Sequence, residues 1–80
     1  MKKSEARIIV YLSQVLPHKR NVSTVSSKLD IGYTYLGNLL RDMLNKNWLR
    51  KQPLQNKMFY SLTELGRLEI LPQAKEELRE

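Results

Sequence analysis

The sequence predicts a mostly helical α+β domain with one two-stranded hairpin. Three observations support this class: four segments carry apolar residues at helical spacing, one short stretch is rich in aromatic residues around a polar tip, and the chain has 80 residues. A chain of this length buries only about 60–65% of the surface that its unfolded form exposes, which is enough for one small core. We therefore expect a single domain over residues 1–80.

The first two helices are predicted from capping residues and apolar stripes. Ser4 is a suitable N-cap for a first helix that stops before Pro17, and Ser23 is a suitable N-cap for a short second helix. Ile31 and Gly32 then predict a tight turn. The apolar stripe of the first helix is expected to comprise Ile8, Ile9, Leu12, Val15 and Leu16.

A third helix is predicted from about Tyr33 to Lys46. Asn47 is expected to end it, because Asn adopts the left-handed conformation more readily than most other residues. Gly37 costs roughly 1 kcal/mol of helix stability relative to Ala, so it suggests a close approach by another helix or by a phosphate backbone. The buried face of this helix is expected to consist of Leu36, Leu39, Leu40, Met43 and Leu44.

Two short strands are predicted at Trp48–Leu54 and Met58–Leu62, around the tip Gln55-Asn56-Lys57. Pro53 marks the first strand as an edge strand, because proline cannot donate a ladder hydrogen bond. Strand alternation places Phe59 on the face opposite the core. The hairpin residues expected in the core are Trp48, Tyr60 and Leu62.

The last helix is predicted to begin at Thr63, whose hydroxyl is a suitable N-cap, with Glu64 near the positive end of the helix dipole. Pro72 is expected to kink or split this helix, because proline lacks the N–H that the helix needs. Thus the predicted order is helix, helix, turn, helix, hairpin, helix.

The net charge of +6 is concentrated in the middle of the chain. Residues 18–57 carry eight basic side chains against Asp30 and Asp42, whereas the charges of the two ends cancel. A concentrated basic zone favours a polyanion-binding surface, and an ordinary solvated basic face is the alternative.

Composition also excludes several classes of protein. With no Cys and only His18, the chain cannot form a disulfide framework or a thiol nucleophile, and a Cys/His zinc site is unsupported. There is no glycine-rich phosphate loop, Ser/His/Asp set or pair of buried acids, so we expect neither an enzyme nor a cofactor. The longest apolar run, Ile8–Leu12, is far shorter than the roughly 20 residues of a membrane span. We expect a cytoplasmic protein.

Two helices joined by a short glycine-containing turn form a helix-turn-helix, and a hairpin that follows it forms a wing. In this sequence the helix-turn-helix covers about residues 23–46, the wing about 48–62 and the C-terminal helix about 63–80. The expected architecture is a three-helix core with a two-stranded wing and a C-terminal helix.

Residues 22–66 resemble a known family. The closing strand of the wing runs into the motif Tyr60-Ser61-Leu62-Thr63-Glu64-Leu65-Gly66, and Val25-Ser26, Leu29 and Ile31-Gly32 match the start of the unit. With these residues the chain resembles the winged helix-turn-helix regulators of the MarR and PadR type, especially their small archaeal and viral members. Asn47 stands where the family usually has Gly, and Gly37 where Ser is common. The resemblance implies that the third helix is a DNA-recognition helix.

Four side chains of the third helix are candidates for contact with bases: Thr34, Tyr35, Asn38 and Arg41. Asn pairs bidentately with adenine and Arg with guanine, while Thr or Tyr contacts a thymine methyl group or a phosphate. The alternative is that these residues form only the solvated face of an amphipathic helix. Tyr33 is a weaker candidate, because it could equally fill the junction between helices.

Five further side chains are candidates for contact with the DNA backbone. Ser23 lies at the start of the second helix, where N–H groups and hydroxyls bind phosphate, although a plain capping role is the alternative. Arg50 and Lys51 lie on opposite faces of the first strand. They could instead be solvated charges that discourage strand pairing. The full set is Ser23, Lys28, Arg50, Lys51 and Lys57.

The sequence therefore predicts a sequence-specific, double-stranded DNA-binding transcriptional regulator, with repression as the simpler mechanism. A single domain reads few base pairs, so we expect a homodimer through the terminal helices, with a monomer as the alternative. A small core cannot bury every apolar residue of the terminal helices. The residues that we expect it to leave for the dimer interface are Val10, Tyr11, Ile70, Leu71, Ala74 and Leu78. We expect no metal, membrane or small-molecule ligand. A protein-interaction module, a plasmid or viral replication or partition protein and an RNA-binding protein remain alternatives.

Overall fold

The computed structural model describes residues 1–79. Helices α1 (Lys3–Gln14), α2 (Val22–Leu29) and α3 (Tyr33–Asn45) precede strands β1 (Leu49–Leu54) and β2 (Lys57–Leu62), and helix α4 (Leu71–Glu77) follows. A 3₁₀ turn lies at Pro17–Lys19, and a π-helical segment lies at Gly66–Ile70. This order confirms the predicted fold class: a mostly helical α+β arrangement with a helix-turn-helix, a two-stranded wing and a C-terminal helix.

One hydrophobic core joins all the helices and the base of the wing. Ile8, Ile9 and Leu12 of α1 are fully buried in this core, as predicted. Full burial of each such side chain contributes about 1.5–3 kcal/mol. The buried apolar residues of α2, α3 and the remaining elements are Val25, Ile31, Leu36, Leu39, Leu40, Met43, Leu49, Leu62, Ile70 and Ala74.

Three predictions about apolar residues need correction. Leu16 is 63% exposed and Val15 is only half-buried, because α1 ends at Gln14 and the chain turns away before the stripe continues. Ile70 and Ala74, expected at a dimer interface, are instead buried within the core. The close packing of α1 against α4 uses the face of the C-terminal helix that carries them.

The N-cap of α1 is Lys2, two residues earlier than predicted. The buried carboxylate of Glu5 accepts a hydrogen bond from the Lys2 backbone N–H at 2.9 Å, which satisfies a donor that the helix itself leaves unpaired. The Ser4 hydroxyl, expected to cap the helix, instead lies 3.1 Å from the hydroxyl of Tyr35.

The N-cap of α2 is Asn21, and the prediction of Ser23 in this role is wrong. The Asn21 side-chain oxygen accepts from the Thr24 N–H at 3.0 Å, while its amide nitrogen donates to the His18 carbonyl at 3.1 Å. A buried amide that satisfies both of its ends in this way anchors the start of the helix. Ser23 is consequently an exposed residue of the first turn.

The end of α3 confirms the role predicted for Asn47. Its φ angle of 62° is left-handed, its N–H donates to the Leu44 carbonyl, and the Trp48 N–H donates to the Met43 carbonyl, each at 3.0 Å. This pair of bonds is the Schellman motif, which satisfies carbonyl groups at a helix C-terminus. The helix ends at Asn45, one residue before the predicted boundary.

The wing is an antiparallel hairpin with a two-residue turn, shorter than the predicted three-residue tip. Gln55 and Asn56 have φ angles of 50° and 65°, as the type I′ turn of a tight hairpin requires. Lys57 is therefore the first residue of β2 and pairs with Leu54. The outer edge of β1, which contains Pro53, has no strand partner among residues 1–79, so the prediction of an edge strand is confirmed.

The register of the hairpin fixes which side chains share a face. Leu49 pairs with Leu62 and Lys51 with Tyr60 on the core side, whereas Gln52 pairs with Phe59 on the other side. Leu62 is buried, while Tyr60 and Trp48 are half-buried against the core. Phe59 thus lies opposite the core face, as predicted.

Thr63 joins the wing to the C-terminal helix and to the end of α3. Its hydroxyl accepts from the Gly66 N–H at 2.9 Å, which confirms the predicted capping role, and donates to the Asn47 carbonyl at 2.6 Å. Its N–H donates to the Trp48 carbonyl at 3.1 Å. A Cβ atom at Gly66 would overlap that same Trp48 carbonyl, so only glycine fits there.

The predicted interruption by Pro72 takes the form of the π-helical segment. The Leu71 N–H donates to the Gly66 carbonyl, five residues back, and α4 continues from Leu71 with Pro72 near its start. Proline is tolerated at the first turn because that position needs no N–H donor. The last helix ends at Glu77, and residue 80, the predicted end, lies outside the described residues.

Within residues 1–79, no helix is both long and apolar enough to cross a membrane.

The contact of Gly66 with the Trp48 carbonyl predicts a large effect of a single methyl group. Gly66→Ala should lower the free energy of unfolding by about 3 kcal/mol, because the backbone must move to admit the Cβ. Gly37→Ala is the matched control: nothing lies within 4 Å of its added Cβ, so helix propensity should raise stability by up to about 1 kcal/mol. Urea denaturation followed by circular dichroism measures both. Equal effects of the two substitutions would contradict this packing.

Candidate nucleic-acid interface

The solvent-facing side of α3 carries the residues predicted to contact bases. Thr34, Asn38 and Arg41 are all exposed, while Leu36, Leu40 and Met43 on the opposite side are buried. The helix is therefore anchored by its apolar face and presents its polar face outward. This placement leaves the three polar side chains on one accessible surface, as their spacing predicts.

Two of these side chains hold each other in place. The Arg41 guanidinium donates a short hydrogen bond to the side-chain oxygen of Asn38, one turn earlier on the same face. An amide oxygen has two lone pairs, so Asn38 keeps one acceptor site and both N–H donors for another partner. The pair therefore restricts two flexible side chains without exhausting their capacity to bind.

Tyr35 is more constrained than the sequence indicates. Its ring is 49% exposed, but its hydroxyl lies 3.1 Å from the Ser4 hydroxyl at the start of α1. Tyr35 therefore joins α3 to α1 and lies at the border of the polar face.

Gly37 lies on the exposed face of α3 with open space around it. The expectation that another helix of this chain approaches Gly37 is wrong, because no atom lies within 4 Å of the Cβ position. An approach by something outside the chain is the explanation that remains open at this position.

The wing presents basic side chains on both faces. Arg50 lies on the face opposite the core, where its Nε donates to the Ser61 hydroxyl at 3.2 Å. Lys51 lies on the other face, opposite Tyr60, so the predicted separation of Arg50 and Lys51 is confirmed. Lys57 is exposed beside the turn.

A shallow concavity of about 230 Å³ brings together the starts of α2, α3 and β2. Ser23, Tyr33 and Lys57 line it, together with Asn21, Val22 and Met58. Tyr33 is 60% exposed there, a location that its sequence neighbours do not reveal, because the turn Ile31-Gly32 decides which way the first residue of α3 projects. The inner surface of this concavity is almost entirely apolar, so it brings the three elements together without itself forming a phosphate pocket.

Of the basic side chains of the middle segment, only Lys46 has an acidic partner within residues 1–79. Among residues 1–79, ion pairs form only between Lys46 and Glu5 and between Arg79 and Glu76. Lys28, Arg41, Arg50, Lys51 and Lys57 therefore keep their full charge toward solvent on α2, α3 and the wing.

Lys46 and Glu5 connect the end of α3 to the start of α1. The Lys46 ammonium lies 3.8 Å from the buried carboxylate of Glu5 and 4.6 Å from the centre of the Trp48 ring. This combines an ion pair with a cation–π contact. Lys46 thus has a structural role, unlike the other lysines of the basic segment.

Tyr60 lies beneath this surface and carries no charge at neutral pH. Burial raises the pKa of its hydroxyl above the ordinary value of 10.0, because the phenolate form would lose hydration.

Among residues 1–79, no group of three or more His, Cys, Asp or Glu side chains could hold a metal ion.

Neither a family model nor a curated protein matches this sequence. Solved structures do match its fold. AbsC, a MarR family transcriptional regulator from Streptomyces coelicolor, superposes with a TM-score of 0.82 at 21% identity, over 96% of this chain and 53% of its own. The fold is that of a MarR-type winged helix.

Two further solved structures agree with this assignment of the fold. RV1404 from Mycobacterium tuberculosis gives a TM-score of 0.81 at 20% identity, over 95% of this chain and 52% of its own. A mutant of ZitR from Lactococcus lactis gives a TM-score of 0.75 at 21% identity, over 96% of this chain and 50% of its own. The chain spans about half the length of these structures.

The capping of α2 predicts different effects of two neighbouring substitutions. Asn21→Ala should lower the free energy of unfolding by about 1–2 kcal/mol, because it removes the cap from the Thr24 N–H. Ser23→Ala should change it by less than about 0.5 kcal/mol, because Ser23 is exposed and makes no capping bond. Chemical denaturation of both variants measures this difference, and a larger loss in Ser23→Ala would refute the assignment of the cap.

Proposed function

We propose that the chain is a sequence-specific, double-stranded DNA-binding transcriptional regulator that acts in the cytoplasm by occupying a promoter site. One observation carries this proposal. The exposed polar face of α3 lies between basic side chains of α2 and the wing that no acid within residues 1–79 neutralises. A surface of this kind suits a polyanion with readable base edges. The winged-helix fold supports the same reading but hosts several functions.

The major groove is about 12 Å wide and admits one α-helix such as α3. Along the helix axis, Thr34 to Arg41 spans roughly 10 Å at 1.5 Å per residue, which matches a few base pairs. In this proposal Asn38 and Arg41 contact base edges, for which adenine and guanine are the favoured partners. Gly37, which precedes Asn38, lets the helix backbone approach the DNA closely, because it carries no side chain and faces open space.

The wing and the start of α2 contact the DNA backbone in this proposal. Lys57, Ser23 and Tyr33 line one concavity, so the backbone of a single duplex would contact all three elements beside it. Arg50, Lys51 and Lys28 would contact neighbouring phosphates or the minor groove. These contacts position the helix and contribute affinity without sequence preference.

A homodimer through the terminal helices would double the site that is read. With Ile70 and Ala74 inside the core, the surface left for this contact centres on Leu68, which is 64% exposed on the π-helical segment. Half-buried Leu71 and Leu78 lie on the same helical stretch. Repression follows most simply, because a dimer that covers a promoter excludes polymerase without a second contact.

The division between base and backbone contacts predicts two different phenotypes. Asn38→Ala with Arg41→Ala should remove most preference for an operator selected from random duplexes, since each lost base contact costs about 1–3 kcal/mol of discrimination. Arg50→Ala with Lys57→Ala should weaken binding to all sequences alike and make the slope of log K against log salt shallower by about 2. Fluorescence anisotropy measures both.

Lys75→Ala with Arg79→Ala is the matched control, since it removes two positive charges from the C-terminal helix. It should leave operator preference unchanged and lower affinity only slightly. The proposal fails if the Asn38/Arg41 variant keeps its operator preference, or if the control loses as much affinity as the wing variant.

The exposed leucine of the π-helical segment predicts the behaviour of the dimer. Leu68→Glu should shift sedimentation from dimer to monomer, because a charge in an apolar interface costs its hydration. Leu54→Glu on the wing, at a side chain of 55% exposure, should leave the dimer intact. A wild-type monomer throughout the micromolar range would contradict this part of the proposal.

A further inference from the structure

A small cavity with an unusual polar lining lies at the base of the wing. It encloses about 140 Å³ between the end of α1, the end of β2 and the π-helical segment. Two of its lining side chains are arginines, Arg20 and Arg67, and two are serines, Ser13 and Ser61. The remaining lining residues are apolar: Leu12, Leu62 and Leu71. No carboxylate among residues 1–79 lines the cavity.

Arg20, one of the two arginines that line the cavity, has a hydrogen-bond donor without a partner in the described part of the chain. Its Nε is fully buried and has no hydrogen-bond partner among residues 1–79, although its backbone carbonyl accepts from the Tyr60 N–H at 2.9 Å. A buried charged donor without an acceptor is rare in folded proteins, because it loses hydration without replacement. Arg20 is thus partly buried, unlike the exposed Lys19 beside it.

The neighbouring groups match an acceptor-rich ligand. Ser61 accepts from Arg50 Nε at 3.2 Å, so its own O–H is free to donate to another acceptor. Ser13 donates to the Val10 carbonyl at 2.7 Å, so it contributes no further donor. Arg67 adds a second guanidinium that has no ion pair within residues 1–79. Two like charges at one cavity repel each other until an anion lies between them.

The size of the cavity limits the ligand. Its volume corresponds to several water molecules of about 30 Å³ each, but it is well below the roughly 300–1,000 Å³ of sites for drug-sized ligands. A tetrahedral oxyanion offers several acceptor atoms in this space, and guanidinium groups bind such oxygens bidentately.

We propose that this cavity is a binding site for a phosphate-type oxyanion, held by Arg20 and Arg67 with the Ser61 hydroxyl. This inference departs from the expectation that the chain has no small ligand. Binding of free phosphate does not depend on the proposed function, whereas binding of a phosphodiester rests on it. A bound oxyanion would link α1, β2 and the π-helical segment, the three elements that meet at the base of the wing. The oxyanion is either free phosphate or a phosphodiester of a bound duplex, and the two sources are separable.

The first experiment uses inorganic phosphate on the full chain, with chloride replaced at constant ionic strength. We expect millimolar phosphate to shift the amide resonances of Ser13, Ser61 and Arg67 in a saturable manner and to raise the melting temperature. Arg20→Gln and Arg67→Gln should each weaken this binding at least tenfold. Arg79→Gln, which removes an exposed guanidinium elsewhere, should bind phosphate like the wild type. A general salting effect of phosphate would instead act equally on all four proteins.

The second experiment measures affinity for duplex DNA with the same variants. If the oxyanion is a phosphodiester, Arg20→Gln and Arg67→Gln should each make the salt slope shallower by about 1, and Arg79→Gln should not. In that case free phosphate binds weakly or not at all. Arg67 is exposed, so its variant tests the proposal even if Arg20→Gln does not fold. The proposal is overturned if neither free phosphate nor DNA binding depends on Arg67 and Arg20 beyond the Arg79 control.

Discussion

The end of helix α3 is fixed by a set of backbone interactions on which the orientation of the wing depends. The left-handed Asn47 turns the chain at the helix end, and the Thr63 hydroxyl and N–H then bind the two carbonyls that follow, of Asn47 and Trp48. Gly66 packs its backbone against the same Trp48 carbonyl. Three elements therefore meet at one point: the end of α3, the end of β2 and the start of the C-terminal helical stretch. A shift of this contact would change the angle between α3 and the wing.

A second set of contacts holds the other side of α3. The first two turns of α1 contact the helix-turn-helix through Ser4 and Tyr35, through Glu5 and Lys46, and through the Arg7 guanidinium, which donates to the Leu29 carbonyl at 2.7 Å. Beneath them, Ile8 and Ile9 are fully buried. Since these contacts attach to both ends of α3, its polar face is presented on a rigid support, which reduces the entropy lost on binding.

Much of this arrangement is predictable from sequence because local signals and burial agree. The apolar spacing of α3, the left-handed Asn47, the Thr63 cap and the edge position of Pro53 all have local causes, and the structure confirms each. One prediction failed because two neighbouring residues compete for one role. Asn21 and Ser23 are both good N-caps, and the tertiary contact of Asn21 with the His18 carbonyl decides between them.

Other features have no local signal. The exposed surroundings of Gly37, the burial of Arg20 Nε and the contact of Ser4 with Tyr35 arise from chain segments far apart in sequence. The π-helical segment keeps the apolar spacing of an ordinary helix, so Pro72 indicates an interruption but not its form. The candidate site was predictable as a set of exposed polar residues, whereas the clustering of Ser23, Tyr33 and Lys57 was not.

The most direct test of the central claim, that α3 and the wing form a duplex-DNA surface, is the salt dependence of binding by the unmodified chain. Fluorescence anisotropy with random-sequence duplex DNA should give a slope of log K against log salt of roughly −4 or more negative, as several phosphate contacts require. An RNA duplex, whose deep and narrow major groove does not admit the helix, should bind more weakly. A flat response on DNA, or equal binding of the two duplexes, would contradict the claim.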